Sequence, residues 1–382
     1  MIEDIQNNDF FALFTNNGFE NGFKPLIAYQ KNGITEISLD ELIKCDNPII
    51  PIICYDYKNK IEKLVSKNES GYLINDLILV QPNKFDFIDQ NDLDKILKPS
   101  KLKNGTQLSI NARVSKNEYI KNVIELKKHI QHGDIYEVNY CVEFYAENIS
   151  MDAFEVFKKY NSISKSPMSC FIKYYDLYIL CGSPERFLKH ENNFLTSEPI
   201  KGTRKRGEDD AEIILELEND QKERSENIMI VDLVRNDLSR VAKKGTVKVD
   251  ELCKVHTFET VHQSISTISC EIPGEIDFES ILNATFPMGS MTGAPKISAM
   301  NLIDKFENSK RQIYSGTTGY ILPNGDFDLN VLIRTMIYDS KNKYLSFSVG
   351  SAITANCDPE KEYEECLIKA SAMLTAINGK IV

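Results

Sequence analysis

An α+β fold with mostly antiparallel strand pairing is what the sequence predicts, and three observations predict it. Short runs rich in aromatic and β-branched residues recur along the chain, several joined by Asn or Gly turns. Helix-period segments are fewer and stand between blocks of such runs. The strand–helix–strand cadence that builds a parallel sheet is missing. At 382 residues the chain is long enough to bury a large core and to hold two or three domains or subdomains.

The elements follow in order. Residues 1–84 carry FFALF, PLIAY, PIICY and LILV between Asn and Gly turns, which reads as short strands. Residues 85–110 are polar, with Pro99 and Asn104-Gly105, and read as a connector. Ser115 with Glu118 three residues later has the capping-box spacing, and YIKNVIELKKHI then runs at helical period to a stop near Gly133. FIKYYDLYIL and RFLKHENNFLTSEPI read as strands, with a hairpin turn at Glu191-Asn192-Asn193. One long helix is expected over AEIILELENDQKERSENIMIVDLVRNDLSRV. A second follows the glycines of GSMTGAPKISAMNLIDKF, with Pro295 in its first turn. QIYSGTTGYIL and VLIRTMIYD flank Pro323-Asn324-Gly325 as strands, YLSFSVGSAIT alternates cleanly, and a last helix spans roughly 359–377.

Composition removes some functions. Hydrophobic content of 42% and charged content of 26% are ordinary for a globular protein. A net charge of −11 argues against nucleic-acid binding, which needs a basic face. The polar start MIEDIQNNDF does not read as a signal peptide, and no apolar run approaches the roughly 20 residues that span a bilayer. Nine cysteines without a C-x-x-C pair read as reduced, mostly buried thiols, so a cytoplasmic location and no membrane contact are expected.

Several groups are candidates for chemistry. Glu223 and Glu226, and likewise Glu362 and Glu365, are three residues apart on expected helices, so each pair shares a face. A solvated acidic face is the commoner reading of such a pair; four carboxylates converging from two helices would suit a hard divalent cation such as Mg2+. The loop FPMGSMTGAPK lacks P-loop spacing but can aim backbone N–H groups at an anion from a helix N-terminus. Arg334 is expected mid-strand among apolar residues, where a guanidinium needs an anionic partner, structural or bound. Tyr314 is expected to begin a glycine-spaced strand. His256 and His262, six apart, suit neither a helical metal pair nor H-E-x-x-H. No G-x-S-x-G elbow and no glutaminase-type cysteine context is found. Lys201 in EPIKGTRKRG lies between a strand-like run and a glycine turn, open to readings as surface charge, anion anchor or nucleophile.

Taken in order, PIKGTRKRG, DQKERSENIMIVDLVRNDLSRV, HTFETVHQSIS, FPMGSMTGAPKISAM, YSGTTGY, IRT and DPEKEYEECLIKA resemble the chorismate-utilising enzymes over about residues 110–380. The resemblance implies the fold of the anthranilate synthase large component: a sandwich of two mostly antiparallel β subdomains, helices outside, and a cleft between. It implies a variable portion, residues 1–105, that completes the sheets, and a chorismate-binding catalytic domain over 106–382. It implies chorismate as substrate, Mg2+ as cofactor and Glu223, Glu226, Glu362 and Glu365 as the metal shell. Tyr314 and Arg334 would hold the enolpyruvyl carboxylate. The loop from Gly289 through Thr292 to Gly293, the segment Gly350-Ser351-Ala352, and Thr203 would line the substrate, with His262 near the leaving group.

Two positions separate the family's reactions. Anthranilate-forming members usually have alanine where this chain has Lys201. Members that aminate chorismate at C4 usually have lysine, which is thought to form a covalent intermediate that ammonia displaces. Such a lysine must be neutral part of the time, and Arg204, Lys205 and Arg206 are expected to lower its pKa by repulsion. Water-using members tend to place a lysine base where Glu137 stands, and amine-using members a glutamine. Glu137 argues against the water-using class and departs from the usual glutamine; it would orient ammonia or act as a base toward ammonium. C4 amination is implied, with anthranilate formation the alternative, and isochorismate or salicylate formation or a silent chorismate-binding subunit the remoter ones. Ammonia would come from a separate glutamine amidotransferase subunit, and a pyridoxal-phosphate lyase would act on the product. The tryptophan-feedback segments of anthranilate synthases are not matched, so tryptophan inhibition is not expected.

Overall fold

The computed structural model describes residues 5, 7–99, 107–258 and 261–382. Its strands are β1 Phe10–Thr15, β2 Leu26–Gln30, β3 Ile50–Ile53, β4 Leu77–Val80, β5 Lys84–Phe87, β6 Leu108–Ala112, β7 Glu137–Ala146, β8 Met168–Tyr174, β9 Leu177–Ser183 and β10 Arg186–Glu191. They continue as β11 Phe194–Glu198, β12 Ile200–Lys205, β13 Lys248–Thr257, β14 Val261–Glu271, β15 Gly293–Ala294, β16 Thr317–Ile321, β17 Phe327–Asn330, β18 Thr335–Asp339, β19 Tyr344–Ile353 and β20 Gly379–Ile381. The helices are α1 Leu39–Leu42, α2 Lys58–Glu62, α3 Gln90–Leu97, α4 Lys116–His132, α5 Ala153–Ser164, α6 Asp210–Asn219, α7 Gln221–Ser239, α8 Phe278–Thr285, α9 Lys296–Phe306 and α10 Pro359–Ile377.

Among the described residues, two sheets contain all the strands. One has eleven, in the order β20-β6-β7-β19-β18-β9-β8-β1-β2-β5 with β15 on β7. The other has nine, in the order β12-β14-β11-β10-β17-β16-β3-β4 with β13 on β14. Pairing is antiparallel except between β20 and β6, so the α+β expectation holds. Residue alternation explains the layering. In β1, Phe10, Ala12 and Phe14 enter the core between the sheets, while Phe11 and Leu13 pack under the helices of the other face. A second core lies beneath α7 and α8 on the far side of the smaller sheet.

Local signals worked where local chemistry decides. Ser115 caps α4 by accepting from the Glu118 amide, and Gly133 ends it in the left-handed conformation. Asn192 and Asn193, both with positive φ, turn the β10–β11 hairpin. Asp358 caps α10.

Four readings are corrected. The expected single helix is two, because Asp220 leaves helical geometry and its carboxylate caps α7 through the Lys222 and Glu223 amides. The polar connector contains β5, α3 and β6; Asn104-Gly105 lies outside the described residues. Pro295 is the cap before α9 rather than part of its first turn. Tyr314 and Arg334 sit in turns ahead of β16 and β18 rather than in strands, Arg334 with φ of 52°.

Candidate active site

The site is built along the first residues of β7, where the two sheets and two helices meet. Glu137 opens β7 and accepts a hydrogen bond from Lys201 Nζ of β12 at 2.8 Å, so this contact joins the larger sheet to the smaller. Val138 pairs with Gly293, and Asn139 pairs with Ala352 while its amide donates to the Thr292 carbonyl. Tyr140 pairs with Ser351 and Cys141 with Gly350. Cys141 Sγ lies 3.6 Å from the Tyr314 hydroxyl. Gly293 has φ of 150°, and a Cβ there would drive into the Glu137 carbonyl, so only glycine lets the loop lie this close.

Lys201 is largely buried, its side chain 11% exposed, and reaches Glu226 Oε2 of α7 at 3.9 Å. Burial works to lower its pKa, but Glu137 and Glu226 outweigh it and raise the value above that of an ordinary lysine. This overturns the expected tuning. Arg204 turns to Asp220 and Glu223 and Arg206 pairs with Asp210, so these two cations are spent on carboxylates of the segment that follows, while Lys205 is exposed. Gly202, with φ of 89°, gives β12 the irregularity that directs Lys201 inward.

The four helix carboxylates do not stand as bare acids. Glu223 pairs with Arg204, Glu365 with Lys369 at 2.6 Å, and Glu362 with Lys222 at 2.9 Å. Burial pushes Glu226 up to about 7, against the pull of Lys201. Glu365 is held below the usual range because Lys369 overcomes its burial. Among the described residues no metal-ready cluster of three His, Cys, Asp or Glu groups forms. Glu137 Oε2, Glu226 Oε1 and Glu362 Oε2 are nevertheless buried without a hydrogen-bond partner. Orphaned carboxylate oxygens from β7, α7 and α10 are the donor chemistry of a hard divalent cation, so the residues fit one.

Other candidates are placed as follows. His262 is fully buried, with Nδ1 2.9 Å from the Thr257 hydroxyl and Nε2 3.0 Å from Asp210, so both ring nitrogens are engaged within the protein. His256 pairs with Glu251. Within the loop, the Met291 and Thr292 amides bond to Met288 and Gly289 carbonyls, and the Thr292 hydroxyl also turns back on the loop. Ser351 Oγ bonds to Tyr119 in the core, and the Gly350 carbonyl accepts from Lys369. Thr203 pairs with Gln263 on β14. The Arg334 side chain makes no hydrogen bond or ion pair with any described residue, while its carbonyl accepts from Tyr160 and Gly182.

Three residues escaped the sequence reading. Glu185, just before β10, is buried and accepts from Ser290 Oγ at 2.6 Å. Burial pushes its pKa up to about 7, against Ser290 and the charges of Lys201 and Lys369. Its signal was an acid–base pair, Glu185-Arg186, inside an apolar stretch. Arg311 is the second: it ties the Met291 and Asn139 carbonyls together and forms a bidentate pair with Glu307. Lys222 is the third.

The chain matches the chorismate binding enzyme family over residues 53–375. It belongs to that family. As a chorismate-binding enzyme chain it is 36% identical to aminodeoxychorismate synthase component 1 of Escherichia coli over 266 residues, 69% of this chain and 58% of that protein. It is 34% identical to anthranilate synthase component 1 of Acetivibrio thermocellus over 342 residues, 85% of this chain and 67% of that protein. The chain spans between 29% and 58% of the first aminodeoxychorismate synthases it matches. The crystal structure of anthranilate synthase component I from Streptococcus pneumoniae superimposes with a TM-score of 0.78 at 24% identity, covering 96% of this chain and 90% of that one. That likeness bears out the two-sheet sandwich. Among the described residues no helix is long and apolar enough to cross a membrane.

Proposed function

We propose that the chain aminates chorismate at C4 with ammonia, giving 4-amino-4-deoxychorismate for p-aminobenzoate and folate synthesis. The observation that carries this reading is Lys201, largely buried at the junction of the sheets and hydrogen-bonded to Glu137 beside Glu226. A lysine nucleophile needs a proton acceptor, and Glu137 Oε1 is in hydrogen-bond range of Nζ. Amine attack on the ring expels the hydroxyl; ammonia then displaces the lysine at C4 and restores it. Glu185, poised near neutrality, is the group suited to give the departing hydroxyl its proton. Arg334, with a guanidinium that has no hydrogen bond or ion pair among the described residues, suits a substrate carboxylate.

Glu226 and Glu362, with Glu223 and Glu365 beside them, would hold Mg2+, which supplies charge neutralisation and Lewis acidity toward the substrate's carboxylate and leaving group. Ammonia would come from a separate glutamine amidotransferase subunit, consistent with relatives named as component 1. Anthranilate formation is the second reading, favoured by the longer matched span of the anthranilate synthase relatives.

The test is incubation with chorismate, Mg2+ and ammonium, followed by product mass. A 4-amino-4-deoxychorismate mass is expected, and anthranilate fluorescence without a lyase refutes the first reading. Lys201→Ala should lower turnover about 100-fold or more, the scale of a lost nucleophile or proton-transfer group; unchanged rates would make Lys201 an electrostatic bystander.

A further inference from the structure

The cations facing the helix carboxylates are not equivalent. Lys201 and Lys369 each reach their partners from within the fold, and Arg204 is fixed by two acids. Lys222 stands apart. Its side chain is 49% exposed, yet Nζ lies 2.9 Å from the buried Glu362 Oε1 of α10 and 3.9 Å from Glu226 Oε1 of its own helix. It also occupies the first turn of α7, where the helix dipole disfavours a cation. The contact with α10 is what accounts for its placement. That contact is incomplete: Glu226 Oε1 and Glu362 Oε2 remain buried without a hydrogen-bond partner.

We infer that Lys222 is the built-in counter-ion of the divalent-cation site, bridging α7 and α10 in the metal-free chain and displaced when the cation binds. The inference rests on the reading that Glu226 and Glu362 hold Mg2+. One ammonium at this spacing neutralises one carboxylate well and the second poorly, whereas a cation taking six oxygens serves both. The half-exposed stem lets the head swing into water with little rearrangement. Metal affinity is then set by competition with the chain's own lysine.

The experiment is calorimetric titration of the metal-stripped full chain with MgCl2, for the wild type, Lys222→Met and Glu362→Gln. In parallel, wild-type lysines are acetylated with an N-hydroxysuccinimide ester, with and without Mg2+, and read by peptide mass. Lys222→Met should bind Mg2+ about fivefold tighter, the scale of one partly exposed ion pair. Lys222 acetylation should rise several-fold when Mg2+ is added. Equal or weaker binding by Lys222→Met, or labelling of Lys222 that ignores bound Mg2+, overturns the inference. Failure of the wild type to bind Mg2+, or unaltered binding by Glu362→Gln, refutes the underlying cation reading instead.

Discussion

Glu185→Gln keeps the side chain's shape and an acceptor for Ser290 Oγ but removes its titration. In the wild type, burial raises the carboxyl from an ordinary 4.5 to about 7. The folded state therefore binds the proton more tightly than the unfolded chain. The associated stability is fully present below the unfolded value and is lost as pH rises through the folded one. A difference of roughly 2.5 units at about 1.4 kcal/mol each spans about 3.5 kcal/mol, of which about 2.5 kcal/mol falls between about pH 5 and about pH 8. Urea denaturation of both proteins in chelator-containing buffer at those two pH values measures it. The wild type should lose stability relative to Glu185→Gln on going to the higher pH. Parallel curves would mean that Glu185 is not buried as a neutral acid, and the proton-donor role would fall with it.

Two further outcomes follow from packing. Gly293→Ala should cost about 3 kcal/mol or more, or prevent folding, because the new Cβ meets the Glu137 carbonyl and the backbone conformation is strained; a melting temperature near that of the wild type would contradict this. Arg311→Met should cost about 3–5 kcal/mol by leaving Glu307 charged and buried, and adding Glu307→Gln should recover much of the loss in thermal unfolding. A double variant no better than the single would show that the lost carbonyl contacts to Met291 and Asn139, rather than the orphaned charge, dominate.

The residues that were readable along the chain are those governed by neighbours within a turn. Ser115, Gly133, Asn192, Asn193 and the 359–377 helix carry their geometry in a cap, a left-handed residue or a period. The ordered motifs likewise pointed to chorismate-binding enzymes, because close approaches such as Gly293 on Glu137 admit only one residue type. Where two local signals competed, reading failed: helical periodicity ran through Asp220, and only its capping bonds and its pairing with Arg204 explain the break. Glu185 and Lys222 were passed over because their partners lie far along the chain, at Ser290 and Glu362.

Lys201 shows the division most plainly. Its identity, and hence the amine-adding reading, is written in EPIKGTRKRG. Its charge state is not, since nearness in sequence suggested repulsion from Arg204, Lys205 and Arg206. In the fold, Arg204 and Arg206 turn to carboxylates of the following segment while Glu137, 64 residues upstream, comes to 2.8 Å of Nζ. Electrostatic energy depends on distance in space and on burial, and only the meeting of the two sheets sets either.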